Sequence, residues 1–239
     1  MKENINKIAV IGAGTMGHGI AQSFAQAGYQ VSIMSRTQKT LDRAMTLIQS
    51  SLGVMAEEGI LDKKSIPSVL SRITPTTSIE EAARDADLAF ETMAEDKEAK
   101  KKVFADLDKY CPPGTLLASN ATYLNIFDFV ETSRPDKVLI AHWYAPPQII
   151  PLVDVVKGPK TDMANVELMA DILRNMDKKP AVFKKWFGHD TAATARCANP
   201  GTLAGRRALP TRGLGSMVQS RPRGAFGRRA RAPHGRGRP

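Results

Sequence analysis

The chain has 239 residues, 42% hydrophobic and 24% charged, and a formal charge of +10 from 34 Lys+Arg against 24 Asp+Glu. That is enough apolar content for one sizeable core, yet no run reaches the roughly 18 apolar residues of a membrane span, and residues 1–7 lack the apolar stretch of a signal peptide. Cys111 and Cys197, far apart and beside no histidine cluster, argue against a disulfide framework or a metal site and fit a reducing cytoplasm.

Residues 7–11 (Lys-Ile-Ala-Val-Ile) read as a buried parallel strand. Gly12-Ala13-Gly14-Thr15-Met16-Gly17 then sets a G-x-G-x-x-G spacing where that strand turns into a helix over 15–27. The first glycine permits the tight turn. The second lets a pyrophosphate approach the backbone, and the third lets helix and strand pack closely. The phosphates would sit on the unpaired N–H groups and positive dipole end of the helix. A second strand spans about 30–35. A long helical arm runs from 39 to about 58, with Leu41, Met45, Ile48, Leu52 and Met55 at helical spacing.

A short helix near 62–70 leads to a strand at about Ile73, a helix over 79–84 and a strand over 88–93. The helix over 97–107 is ended by Pro112-Pro113-Gly114, and a strand follows at 116–119. Strands at 138–143 and 152–156 close the pattern, with a helix over 163–176 behind them. Repeated βα alternation implies a Rossmann-type, doubly wound, mostly parallel α/β sheet. Residues 1–185 form the expected dinucleotide-binding domain.

Residues 186–239 differ in kind. They hold eleven arginines, no Lys, no Ile, no Tyr, no Glu and the single acid Asp190, so the whole excess of positive charge sits there. Arg, Ala, Gly and Pro dominate without helical or strand periodicity, and such a segment buries too little apolar surface to offset its ordering entropy. It reads as a disordered basic tail, as an arm for nucleic acid or another polyanion, or as sequence translated out of frame. The GC-rich codons of Arg, Ala, Gly and Pro and the abrupt break favour the last.

Four segments together resemble the NAD-binding domain of 3-hydroxyacyl-CoA dehydrogenases. They are residues 8–26 with their glycines; Asp87-Leu-Ala-Phe-Glu-Thr-Met-Ala-Glu-Asp96 with Lys100; Leu117-Ala-Ser-Asn-Ala-Thr-Tyr123; and Ala141-His-Trp-Tyr-Ala-Pro-Pro147 with Pro151-Leu-Val-Asp154. The resemblance implies hydride transfer between a nicotinamide and the 3-carbon of a 3-hydroxyacyl thioester. A histidine suits the general base, because its pKa lies near neutrality. His18 lies just past the glycine turn, and His189 and His234 lie in the tail. That leaves His142 at a strand end. The resemblance makes Asp154 its orienting carboxylate, where the family usually has Glu, and Thr122 the hydroxyl contact to substrate. It places Ala94, Glu95, Lys100 and Asn120 around the ribose and nicotinamide end of the cofactor.

Three departures qualify what the resemblance implies. The end of the second strand carries Ser35-Arg36 and no acid before Asp42, so NADP is favoured over NAD, because a guanidinium binds a 2′-phosphate that a carboxylate would repel. Ala145 replaces a customary asparagine, and the run 146–153 also resembles dehydrogenases of small polar hydroxy acids, such as gulonate dehydrogenases. After Lys185 the family continues into a helical domain that closes the site and forms a dimer. Here Trp186-Phe-Gly-His follows instead, so impaired turnover is expected, and a non-catalytic dinucleotide-binding module with a polyanion-binding tail is an alternative.

Overall fold

A computed structural model describes residues 5–186 of the chain. Eight strands form one sheet: β1 (Lys7–Ile11), β2 (Gln30–Met34), β3 (Ile73–Thr76), β4 (Leu88–Glu91), β5 (Leu116–Ser119), β6 (Val138–Trp143), β7 (Leu152–Lys157) and β8 (Lys179–Phe183). Their order across the sheet is β3-β2-β1-β4-β5-β6-β7-β8. The chain walks outward from β1 to β3, then returns to the other side of β1 to lay down β4. That reversal between β1 and β4 is the switch point at which doubly wound sheets bind ligands, beyond the carboxyl ends of the strands.

The first six strands in this order run parallel, and Ile8, Val10, Phe90, Leu117 and their neighbours are buried from both faces. Continuous apolar runs are what a two-sided parallel sheet demands. On one face lie α1 (Gly17–Gln26), α2 (Gln38–Glu57), α3 (Ile66–Leu70) and α6 (Met163–Asn175). The other face carries α4 (Ile79–Ala83) and α5 (Lys97–Tyr110). The long α2 starts on Thr37, whose hydroxyl accepts from Thr40 N, and buries Leu41, Ile48 and Leu52 along one stripe. An aromatic cluster fastens α1 to the sheet: Phe24 of α1 lies 6.1 Å from Phe90 of β4 and 5.9 Å from Trp143 of β6, ring centre to ring centre.

The sheet differs from the sequence expectation at its far edge. Two closing strands were expected there, and there are three. β7 reverses direction against β6, and β8 then pairs parallel to β7. β8 contains Pro180, and none of its residues is fully buried. At a sheet edge one N–H faces no neighbour, so proline is tolerated there. The opposite edge strand, β3, likewise carries Pro75. The expected tail, residues 186–239, lies outside the described residues apart from Trp186. Among the described residues no helix is long and apolar enough to cross a membrane, and no group of three or more His, Cys, Asp or Glu could hold a metal ion.

Candidate active site

The glycine turn is built as its spacing requires. Gly12 has φ +116°, the left-handed region that favours glycine. A Cβ on Gly17 would lie 1.7 Å from the Gly12 carbonyl oxygen, so no other residue lets α1 start this close to β1. Thr92, just past β4, locks the same turn by donating to the Gly12 carbonyl at 2.7 Å. Around Gly14, by contrast, a Cβ would meet nothing within 4 Å, and Gly14 and Thr15 are exposed while Ala13 is buried. Met16 caps α1 without a side-chain hydrogen bond, and no acid stands in its first turn. The positive end of the helix is therefore left to an anion. A dinucleotide pyrophosphate fits this cradle.

His18 has a part that its place in the sequence did not reveal. Its Nδ1 lies 2.8 Å from the Gly14 carbonyl. A carbonyl only accepts, so Nδ1 bears the proton, and the imidazole braces the turn from within the helix.

Two loops at the carboxyl edge converge next to this turn. Glu91, the last residue of β4, is fully buried. Its Oε1 accepts from Met93 N at 2.6 Å, and its Oε2 accepts from Ser119 Oγ at 2.5 Å. Lys100 Nζ donates to both oxygens, at 2.9 and 2.8 Å. Ser119 Oγ in turn accepts from Ala121 N. One carboxylate thus fixes the turn after β4 and the turn after β5. This corrects the expectation for Lys100. Its side chain has no exposed surface, so it meets the cleft through Glu91 and leaves no face for a ribose. Glu91 itself escaped the sequence reading, although a signal exists. Lys100 sits with Val103, Phe104 and Leu107 on the buried stripe of α5, and a lysine in such a stripe requires an acid beneath it.

The pinned loops carry other expected residues. Glu95 Oε1 accepts from Thr122 N at 2.5 Å, which brings those two together; Ala94 and Glu95 are exposed. Asn120 Oδ1 accepts from Trp143 N at 2.9 Å and so ties the β5 turn to the end of β6, beside His142. Ser35 and Arg36 follow β2 directly; Arg36 is exposed, and Ser35 N donates to the Thr76 carbonyl.

The β6–β7 hairpin then forms the dyad. Antiparallel pairing sets His142 directly opposite Asp154, and cross-strand partners stand about 5 Å apart. His142 Nδ1 is 3.8 Å from Asp154 Oδ2, with Asp154 buried and His142 nearly so. The Tyr144 hydroxyl donates to the same Oδ2 at 2.7 Å. The connection between the strands lies on α1 and α2. A Cβ on Gly19 would meet Pro147 Cγ at 2.6 Å, Gln148 Nε2 donates to Ser51 Oγ, and the buried Lys178 donates to the carbonyls of Pro147 and Ile150. Burial pushes the Lys178 ammonium below the usual lysine range. From β1 to β6 is three strand spacings, about 14 Å, with every strand presenting its carboxyl end to the same edge.

Comparison with known proteins agrees with this geometry. Residues 7–186 match the family model for the 3-hydroxyacyl-CoA dehydrogenase NAD-binding domain. A 3-hydroxybutyryl-CoA dehydrogenase of Clostridioides difficile is 37% identical over 175 residues, which is 73% of this chain and 62% of the relative. The crystal structure of 3-hydroxybutyryl-CoA dehydrogenase from Escherichia coli K12 superposes with a TM-score of 0.72 at 35% identity, covering 75% of this chain and 38% of that one. An NAD+-dependent 5-formyl-3-hydroxy-2-methylpyridine 4-carboxylic acid 5-dehydrogenase is similar at 30% identity and a TM-score of 0.69, covering 77% of this chain and 59% of that one. The match thus spans less than two thirds of each of these relatives.

Proposed function

The chain belongs to the 3-hydroxyacyl-CoA dehydrogenase family, and on that premise we propose that it transfers a hydride between a nicotinamide dinucleotide and the 3-carbon of a 3-hydroxyacyl-CoA. The observation that carries this reading is the His142–Asp154 pair, held by strand register at the edge where the glycine turn opens. A bound nicotinamide supplies the hydride acceptor or donor. His142 takes the hydroxyl proton as the carbon–hydrogen bond breaks, and returns it in the reverse direction. The Asp154 carboxylate stabilises the imidazolium so formed. Thr122 holds the substrate oxygen with its hydroxyl, and Asn120 and Glu95 frame the ribose side of the cleft.

Ser35 and Arg36 favour NADP, because no carboxylate at the end of β2 opposes a 2′-phosphate. Residues 5–186 supply the cofactor half of the site and the histidine–aspartate pair. A second reading, oxidation of a small hydroxy acid, draws support from the 146–153 run and from the likeness to the pyridine-carboxylic acid dehydrogenase.

Acetoacetyl-CoA reduction followed at 340 nm tests the main reading. His142→Gln is expected to lower kcat at least about 100-fold while NADPH binding, read by fluorescence, is unchanged. Equal rates in the two proteins would refute the base assignment, and turnover of hydroxy acids but not thioesters would select the second reading. The cofactor assignment is tested separately. NADPH is expected to exceed NADH in kcat/KM by about tenfold, and Arg36→Asp to reverse the order; a clear NADH preference in the unaltered chain overturns it.

A further inference from the structure

Thr92 follows β4 directly and stands beside the glycine turn at the switch point. Its N–H donates to the Ile11 carbonyl at 2.9 Å and so carries the β1–β4 ladder one step further. Its hydroxyl donates to the Gly12 carbonyl at 2.7 Å, with the Ile11 carbonyl at 3.2 Å as a second acceptor. The place of this hydroxyl is made by two glycines. A Cβ on Gly12 would lie 2.7 Å from Thr92 Oγ1, and a Cβ on Gly17 would lie 2.8 Å from it. The oxygen therefore fills the space that both missing side chains leave.

The fixed partner in this contact is the threonine. Its own N–H ties it to β1, and the next N–H, that of Met93, donates to the buried Glu91. The glycine turn has fewer ties. Gly12 N donates to the Met34 carbonyl, and among the described residues the Gly12 carbonyl accepts from Thr92 alone. A trans peptide unit carries its carbonyl and the following N–H on opposite edges, and the Gly12–Ala13 peptide is trans. The bond to Thr92 thus sets the plane of that peptide, and with it the direction of the Ala13 N–H. Among the described residues nothing accepts from this N–H.

We propose that Thr92 is a positioning residue of the dinucleotide site: its hydroxyl holds the Gly12–Ala13 peptide in the plane that the nucleotide diphosphate requires, so that the cradle stands ready before a nucleotide arrives. This deepens the reading of the glycine turn as a dinucleotide site and rests on it. The gain follows from simple population arithmetic. A peptide that held the binding plane only about a tenth of the time would weaken nucleotide binding about tenfold. The nucleotide would then have to order the turn itself, at the expense of affinity.

The experiment compares Thr92→Ser, Thr92→Ala and Thr92→Val with the unaltered full chain. Dissociation constants are read by fluorescence for NADPH and by calorimetry for ADP-ribose, at a temperature well below the melting of each protein. Serine keeps the hydroxyl and alanine removes it. Valine sets a methyl group at a place only 2.7 Å from a carbonyl oxygen, closer than carbon approaches oxygen. Thr92→Ser is expected to bind NADPH within about twofold of the unaltered chain, Thr92→Ala about tenfold more weakly, and Thr92→Val more weakly again. The same factors are expected for ADP-ribose, which carries the diphosphate without the nicotinamide. A merely structural role would lower the melting temperature of Thr92→Ala and leave both constants unchanged, and that result overturns the proposal. So does a loss confined to NADPH, because the hydroxyl would then act on the nicotinamide side, through the loop at 93–96. Should Thr92→Val not fold, the contrast between serine and alanine decides alone. An unaltered chain that binds neither ligand removes the reading of the glycine turn and the proposal with it, whereas alanine binding as tightly as serine removes the role of Thr92 only.

Discussion

Gly17 and Gly14 stand three residues apart in one motif and do different work. Gly17 is a packing residue, because its missing side chain is all that separates α1 from the Gly12 carbonyl. Gly14 faces open space and serves only what comes to the turn. The motif therefore divides into a structural half and a binding half, and two alanines tell them apart. Gly17→Ala is expected to destabilise the fold by about 3 kcal/mol or more, since neither backbone can give way. Gly14→Ala is expected to melt with the unaltered protein yet bind NADPH at least about tenfold more weakly, a loss of roughly 1.4 kcal/mol. Thermal melts beside fluorescence titrations check both; a Gly14→Ala protein that binds normally would mean that the phosphates lie elsewhere.

Among the elements, the junction of β4, α5 and β5 carries the most consequence per residue. Glu91, Lys100 and Ser119 form one buried cluster, and removing either charged member alone strands the other charge out of water. Lys100→Met is expected to cost about 3–5 kcal/mol, and Lys100→Met with Glu91→Gln distinctly less, as urea unfolding of the three proteins would measure. Near-additive losses would contradict a shared cluster. This junction also marks how far the sequence could be read. The βα alternation, the glycine turn and the elements up to β7 were legible, because apolar period and turn chemistry are local signals. The nearness of His142 and Asp154 was legible only through resemblance, since spacing alone does not say that two strands pair antiparallel and in register. β8 was hidden by Pro180, a breaker everywhere but at an edge. Glu91 was hidden because its meaning depends on Lys100, nine positions later on another element. Tyr144 stood in view as an aromatic, but its hydroxyl acquires a partner only once the hairpin closes.

For the molecule as a whole, Cys111 is a built-in gauge of integrity. It lies in the core on the α5 side of the sheet, 5% exposed, and burial pushes its thiol up to about 11 from 9.0. A raised pKa in the folded state means that the protonated thiol favours folding fully below pH 9.0, and that this contribution is lost as pH rises through about 11. In a Cys197→Ser background, thiol labelling at pH 8 is expected to track global unfolding in urea, with no reaction in its absence over the same period; rapid labelling of the native protein would show that this side of the sheet opens on its own. The opposite face holds a different kind of link. Because Gly19 of α1 lies under Pro147 and Gln148, the helix that opens at the glycine turn also bears the strap that joins His142 to Asp154. On the proposed reading, a tilt of that helix as a nucleotide arrives is expected to carry the strap with it and so to reach the imidazole before a substrate does.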